Sequence, residues 1–185
     1  MKRFVCFLLS VCFACMLCGC SKEGAGQDES GKEISIPSEV SEAYTGSYNT
    51  TANIKYKDIT AQAVFTRDAG GTVAVTFLSP SSLQDIKFVY TDQAVTVSYK
   101  EMEFSLDPNS FLASSVTKTV IAAIDAVTKQ NGVRVQLQDQ GLTVSGQMET
   151  GTFELILDKE NGNALRLKVP QDELEVEFVN FSFVK

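Results

Sequence analysis

From Gly46 to the C-terminus, apolar and polar residues alternate with a period of two, interrupted once. Ile59, Ala61, Ala63 and Phe65 form the first clear run, and after the breaker Asp68, Ala69, Gly70 and Gly71 the pattern resumes at Val73, Val75 and Phe77. Two alternating runs around a turn predict a β-hairpin. Beyond Pro80, Ser81 and Ser82 come Ile86, Phe88 and Tyr90, then Val95, Val97 and Tyr99, then Met102, Phe104 and Leu106. After Gly132 the alternation returns in Val133, Val135 and Leu137, in Leu142 and Val144, and in Phe153, Leu155 and Leu157. A turn from Asp158 to Gly162 leads into Leu165, Leu167 and Val169, which Pro170 ends. The last segment places Leu174, Val176 and Phe178 on one phase and Phe181 and Phe183 on the other, a slip at Val179 and Asn180 that predicts a β-bulge.

The interruption has a different period. Phe111, Val116, Val120, Ile121, Ile124 and Val127 recur every three or four residues, with Asn109 or Ser110 suited to cap the start and Asn131 with Gly132 to close the end. This predicts one amphipathic helix over about 110–130, held by packing its apolar stripe on the strands. The expected fold class is mainly β (α+β): a large curved antiparallel sheet or half-barrel of about ten strands with one long helix packed on it, because a sheet that wide curls.

The N-terminus is organised otherwise. Met1, Lys2 and Arg3 precede an uncharged run from Phe4 to Leu17, followed by the small residue Gly19, as in a secretory signal. The run is shorter than the roughly 20 residues that cross a hydrocarbon core. From Ser21 to about Ala43 the residues are mostly Ser, Lys, Glu, Gly, Gln and Asp, as in a flexible tether, with a short helix expected over 37–44. The expected organisation is thus a signal peptide over 1–19, a tether over 20–45 and a β domain over 46–185.

Leu17, Cys18, Gly19 and Cys20 resemble the lipobox of bacterial lipoproteins, although Cys18 stands where that family usually has Ala, Ser or Thr. The resemblance implies that Cys20 becomes the first mature residue and carries acyl chains of the palmitate type, so that the protein is an extracytoplasmic lipoprotein with a lipid anchor in the cell membrane. Cys15 after Ala14 is the rival acceptor, and a cleaved signal without lipid is the plainer alternative.

Charge and composition narrow the chemistry. Removing Lys2 and Arg3 with the signal leaves 14 basic residues against 23 acidic ones, a formal charge of −9. Such a surface disfavours nucleic acid and anionic headgroups. All five cysteines, Cys6, Cys12, Cys15, Cys18 and Cys20, lie in the N-terminal stretch, and the chain has no His and no Trp. Triads and zinc sites that need imidazole or thiolate are therefore out of reach, no cofactor is expected, and carboxylates remain. The pairs Glu101/Glu103, Asp172/Glu173 and Glu175/Glu177 are candidates for an acid and a base, but Glu175 and Glu177 alternate with Leu174, Val176 and Phe178 as a solvated strand face does, and Asp158, Glu160 and Asn161 read as a hairpin turn rather than a calcium loop. No metal site is expected, and the protein is not expected to be an enzyme.

The run Val75 to Phe88, with Leu78, Ser79, Pro80, Ser81, Ser82, Leu83, Gln84 and Asp85 at its centre, resembles the strand, Pro-containing turn, Leu and next strand of bacterial lipoproteins with the LolA/LolB-like fold. The hairpin Phe153 to Leu157, Asn161, Gly162 and Leu165 to Val169 fits the same family, whose members often have Gly where this chain has Gln84 and Asp85. The resemblance covers roughly Tyr48 to Phe183. It implies a half-open antiparallel barrel closed by helices, with an apolar hollow that receives acyl chains or similar greasy ligands. Phe65, Phe77, Phe88, Tyr90, Tyr99, Phe104 and Phe153, with Val120, Ile124 and Val127 from the helix, are the candidates to line it. The same residues would equally fill a plain packed core. Two functions follow: binding or carrying an apolar ligand such as a lipid, or serving as a non-catalytic partner subunit at the cell surface, for example in envelope or spore-germination assembly.

Overall fold

A computed structural model describes residues 34–91, 93–106, 113–129 and 132–184, with the side chains of the long helix described from 116 onward. The signal, Cys20, most of the tether and the helix-capping residues Asn109, Ser110 and Asn131 lie outside these residues.

The strands expected from alternation are all present, and there is one more. Strand β1 (Ser47–Tyr56) precedes β2 (Ile59–Arg67), β3 (Val73–Ser79), β4 (Ile86–Tyr90), β5 (Val95–Tyr99) and β6 (Met102–Leu106); β7 (Val133–Gln138), β8 (Gly141–Met148), β9 (Gly151–Leu157), β10 (Ala164–Val169) and β11 (Leu174–Val184) follow the helix. The eleven described strands form one antiparallel sheet in the order β6-β5-β4-β3-β2-β1-β11-β10-β9-β8-β7. It is curved and does not close. The chain starts in the middle, winds out to the β6 edge, crosses to the β7 edge through the long helix, and winds back until β11 meets the free side of β1.

The long helix, α2 (Ala113–Lys129), packs on β9 and β10. Its buried apolar residues Val120, Ala123, Ile124 and Val127 follow the spacing of one helical face. On the strands, the side facing α2 carries the core, including Phe65, Val75, Leu155, Leu167 and Val176, and this is the inner face. The outer face carries the charges: Glu175 and Glu177 are exposed there, and the Lys168–Glu175 ion pair is long, at 3.9 Å, and solvated. Such a pair contributes little.

Residues 34–44 fall in the stretch expected to be tether, yet they join the packed unit. The Ile34 amide donates to the Val135 carbonyl of the β7 edge at 3.0 Å, and Ile36 is buried. The short helix, α1 (Ser38–Ala43), ends at Tyr44, whose buried hydroxyl donates to the Gly162 carbonyl at 2.8 Å. Gly162 holds φ +73, and a Cβ there would come within 2.9 Å of Val40, so the β9–β10 turn seats α1 closely.

The bulge is where the phase slip places it. The register steps from Asn49↔Ser182 to Thr51↔Val179, three steps along β11 against two along β1, and Asn180 takes φ +57. Phe178 and Phe181 consequently share the inner face, their rings 6.1 Å apart, and Phe181 stacks on Tyr48 at 5.2 Å.

The turn between β3 and β4 forms without glycine. Asp85 adopts φ +69, and the Gln84 side-chain amide donates to the Leu78 carbonyl at 2.7 Å. Asp tolerates this left-handed region better than most residues, whereas a β-branched side chain does not. Asp85→Gly is therefore expected to leave the urea midpoint nearly unchanged, and Asp85→Val to cost about 1–2 kcal/mol. Equal losses in both variants would show that the carboxylate, not the backbone geometry, matters there.

Candidate functional site

Antiparallel winding puts the turns β1–β2, β3–β4 and β5–β6 at one end of the sheet and β2–β3 and β4–β5 at the other. The helix covers the second end. Arg67, the last residue of β2, pairs with Asp125 of α2 at 2.8 Å, and the hydroxyls of Tyr90, the last residue of β4, and Thr117 are hydrogen-bonded to each other. Among the described residues, nothing covers the inner face at the first end. Ile86, Tyr99 and Met102 face one another across β4, β5 and β6, as do Phe88, Val97 and Phe104. Exposure rises toward the edge: Phe88 is 6% exposed, Tyr99 37%, Met102 51% and Phe104 54%. Ile59, on the same face at the start of β2, is 59% exposed. Contiguous apolar surface of this kind is uncommon on a monomer unless something binds there.

The ten candidate residues therefore divide. Phe65, Phe153, Val120, Ile124 and Val127 are packed core, none more than 2% exposed. Phe153 also belongs to the β7–β9 side of the sheet, far in strand order from β6, and its ring fills the space where a side chain on Gly146 would be. Phe88 and Tyr90 are buried at the boundary, their rings stacked at 6.3 Å, and Phe77, partly buried, meets Phe88 edge-on at 6.0 Å. Tyr99 and Phe104 stand on the open wall. Met102 belongs to that wall as well. The two-residue turn Lys100–Glu101, which puts Met102 opposite Tyr99, is the sequence signal that carries Met102.

The polar groups under the helix make a second environment. Tyr48 is fully buried beside Arg67, and neither its hydroxyl nor the Arg67 Nε has a hydrogen-bond partner among the described residues. Burial pushes the hydroxyls of Tyr44, Tyr48 and Tyr90 above the usual phenol range; at Tyr48 the Asp125 charge adds to this and the Arg67 guanidinium beside it opposes it without cancelling it. Unfolded phenols ionise near pH 10 while these three stay protonated in the fold. Above that pH the unfolded chain binds fewer protons, so stability present below about pH 10 falls as pH rises. We expect the urea midpoint to hold up to roughly pH 9.5 and then decline. Tyr48→Phe is expected to cost less than about 0.5 kcal/mol at neutral pH and to make that decline shallower, because it removes an unpartnered hydroxyl. A variant curve as steep as the parent's would contradict this assignment.

The acidic candidates sit where the alternation puts solvated residues. The Asp158 carboxylate accepts from the Glu160 and Asn161 amides at 2.7 and 3.1 Å, which occupies it in the β9–β10 turn. A shallow depression of about 550 Å³ on the outer face is bordered by Asn53, Gln62, Arg166 and Glu177, and the Gln62 amide already donates to Asn53 at 2.8 Å.

No family model matches the chain, and no curated protein matches it in sequence. Solved structures do. An uncharacterized conserved protein from Thermus thermophilus is similar over 80% of this chain and 85% of its own, at 14% identity and a TM-score of 0.53. The LolA superfamily protein NE2245 from Nitrosomonas europaea matches over 82% of this chain and 95% of its own, at 9% identity and a TM-score of 0.38. LprF from Mycobacterium bovis matches over 82% and 99%, at 12% identity and a TM-score of 0.38. At 14% identity the likeness to the Thermus thermophilus protein is one of fold.

Proposed function

We propose that this protein is a membrane-anchored extracytoplasmic lipoprotein, held by acylated Cys20, that binds an apolar ligand such as a lipid on the open half of the inner face. The observation that carries the reading is the exposure of Tyr99, Met102 and Phe104 on the side of the sheet that elsewhere forms the core. An acyl chain laid along this wall would remove their apolar surface from water at about 25 cal/mol per Å². Chemistry on the ligand is not part of the proposal. The acidic pairs that could supply an acid and a base, once His and mature thiols are excluded, lie on the outer face and in turns.

Native mass spectrometry after gentle extraction tests both halves. The expected spectrum shows an acylated N-terminal cysteine and a further, dissociable mass of lipid size. An unmodified thiol would remove the anchor, and a chain free of any adduct that also takes up no added amphiphile would remove the ligand. The partner-subunit reading has its own support in β6, an exposed edge strand whose residues Met102 to Ser105 are all solvent-accessible and which could accept a strand from another protein.

A further inference from the structure

We infer that the ligand of the open wall carries an ammonium head, a class that includes cationic and choline-bearing amphiphiles; this rests on the apolar-ligand reading above. The wall ends at the β5–β6 turn, where the Lys100 ammonium lies over the Tyr99 ring, 5.2 Å from its centroid. The arrangement repeats at the β1–β2 turn, where Lys57 lies 5.2 Å from the centroid of the Tyr56 ring. Two tyrosine faces at the open end thus already receive an ammonium, the mode in which aromatic rings recognise quaternary ammonium groups.

The charges around them point the same way. The β1–β2, β3–β4 and β5–β6 turns carry the exposed Asp58, Asp85 and Glu101 against the two lysines. A head of net negative charge emerging from the wall would meet more charges of its own sign than of the opposite one. An ammonium head gains from the rim, and it takes the place of Lys100 over Tyr99 while the tail lies on Met102 and Phe104.

The test uses the full chain and four amphiphiles with one dodecyl tail and different heads: trimethylammonium, phosphocholine, maltoside, and the carboxylate of laurate, each below its critical micelle concentration. The trimethylammonium and phosphocholine compounds are expected to bind about fivefold or more tighter than the maltoside, with laurate weakest. The ratio of trimethylammonium to maltoside affinity should persist in Tyr99→Phe, which keeps the ring, and fall toward one in Tyr99→Leu, in the Asp85→Asn/Glu101→Gln double variant, and in high salt. Laurate binding as tightly as trimethylammonium while the maltoside also binds would overturn the head-group inference and leave the apolar wall standing. Failure of all four, the maltoside included, would overturn the wall and this inference with it.

Discussion

The Ile124→Ala variant is expected to unfold about 3 kcal/mol more easily than the parent, within the range of about 2–5 found for such truncations, whereas Phe104→Ala should cost about 1 kcal/mol or less. Ile124 is fully enclosed, on the face of α2 that packs against the sheet, and truncation there forfeits both the transfer of its methyl groups and the contacts around the void. Phe104 is 54% exposed at the sheet edge, so half of its surface gains nothing from folding, and the remaining cost is strand propensity and partial packing. Urea titrations at constant m-value read both changes. Losses of similar size would mean that β6 is as much core as α2, and the division of the candidate residues would fail.

The second large effect is on binding. Phe104→Asp is expected to weaken uptake of a neutral twelve-carbon amphiphile at least about tenfold, a change of roughly 1.4 kcal/mol or more, because a carboxylate would have to lose water against the tail. The same substitution at Leu165, 38% exposed and turned to the outer face by the register shift between Ala164 and Arg166, should leave uptake unchanged. If both variants bind like the parent, the tail does not lie on this wall.

Much of this architecture is legible in the order of residues, and its gaps have physical causes. The bulge at Asn180 shows because Phe178 and Phe181 must both face inward, which a strict period of two forbids. Strand β1 is hard to see although it lies at the centre of the sheet. Its inward positions include Tyr48, Thr50, Ala52 and Ile54, of which Thr50 and Ala52 give little apolar signal; Ala52 lies between Ala63 and Phe178, and the phenylalanine ring helps to fill the layer. Tyr44 looks like part of a polar leader because its partners, Gly162 of the β9–β10 turn and the rings of Phe181 and Phe183, are more than a hundred residues away in sequence. Alternation tells which side chains face inward. It does not tell which of those lie under α2, since the helix position is set by tertiary contacts such as Arg67 with Asp125. That is why Phe65 and Phe104 read alike in the sequence and differ in the fold, one enclosed and the other at the open edge.

The chain contains no tryptophan, so Phe104→Trp supplies a single indole on the wall and Leu165→Trp a matching one on the outer face. Titrating each variant with a brominated acyl amphiphile reports contact directly, since bromine quenches indole emission only at close approach. Saturable quenching in Phe104→Trp with none in Leu165→Trp is the predicted result. Equal quenching at both positions, or none at either, would contradict the placement of an apolar ligand on the inner face beside β6.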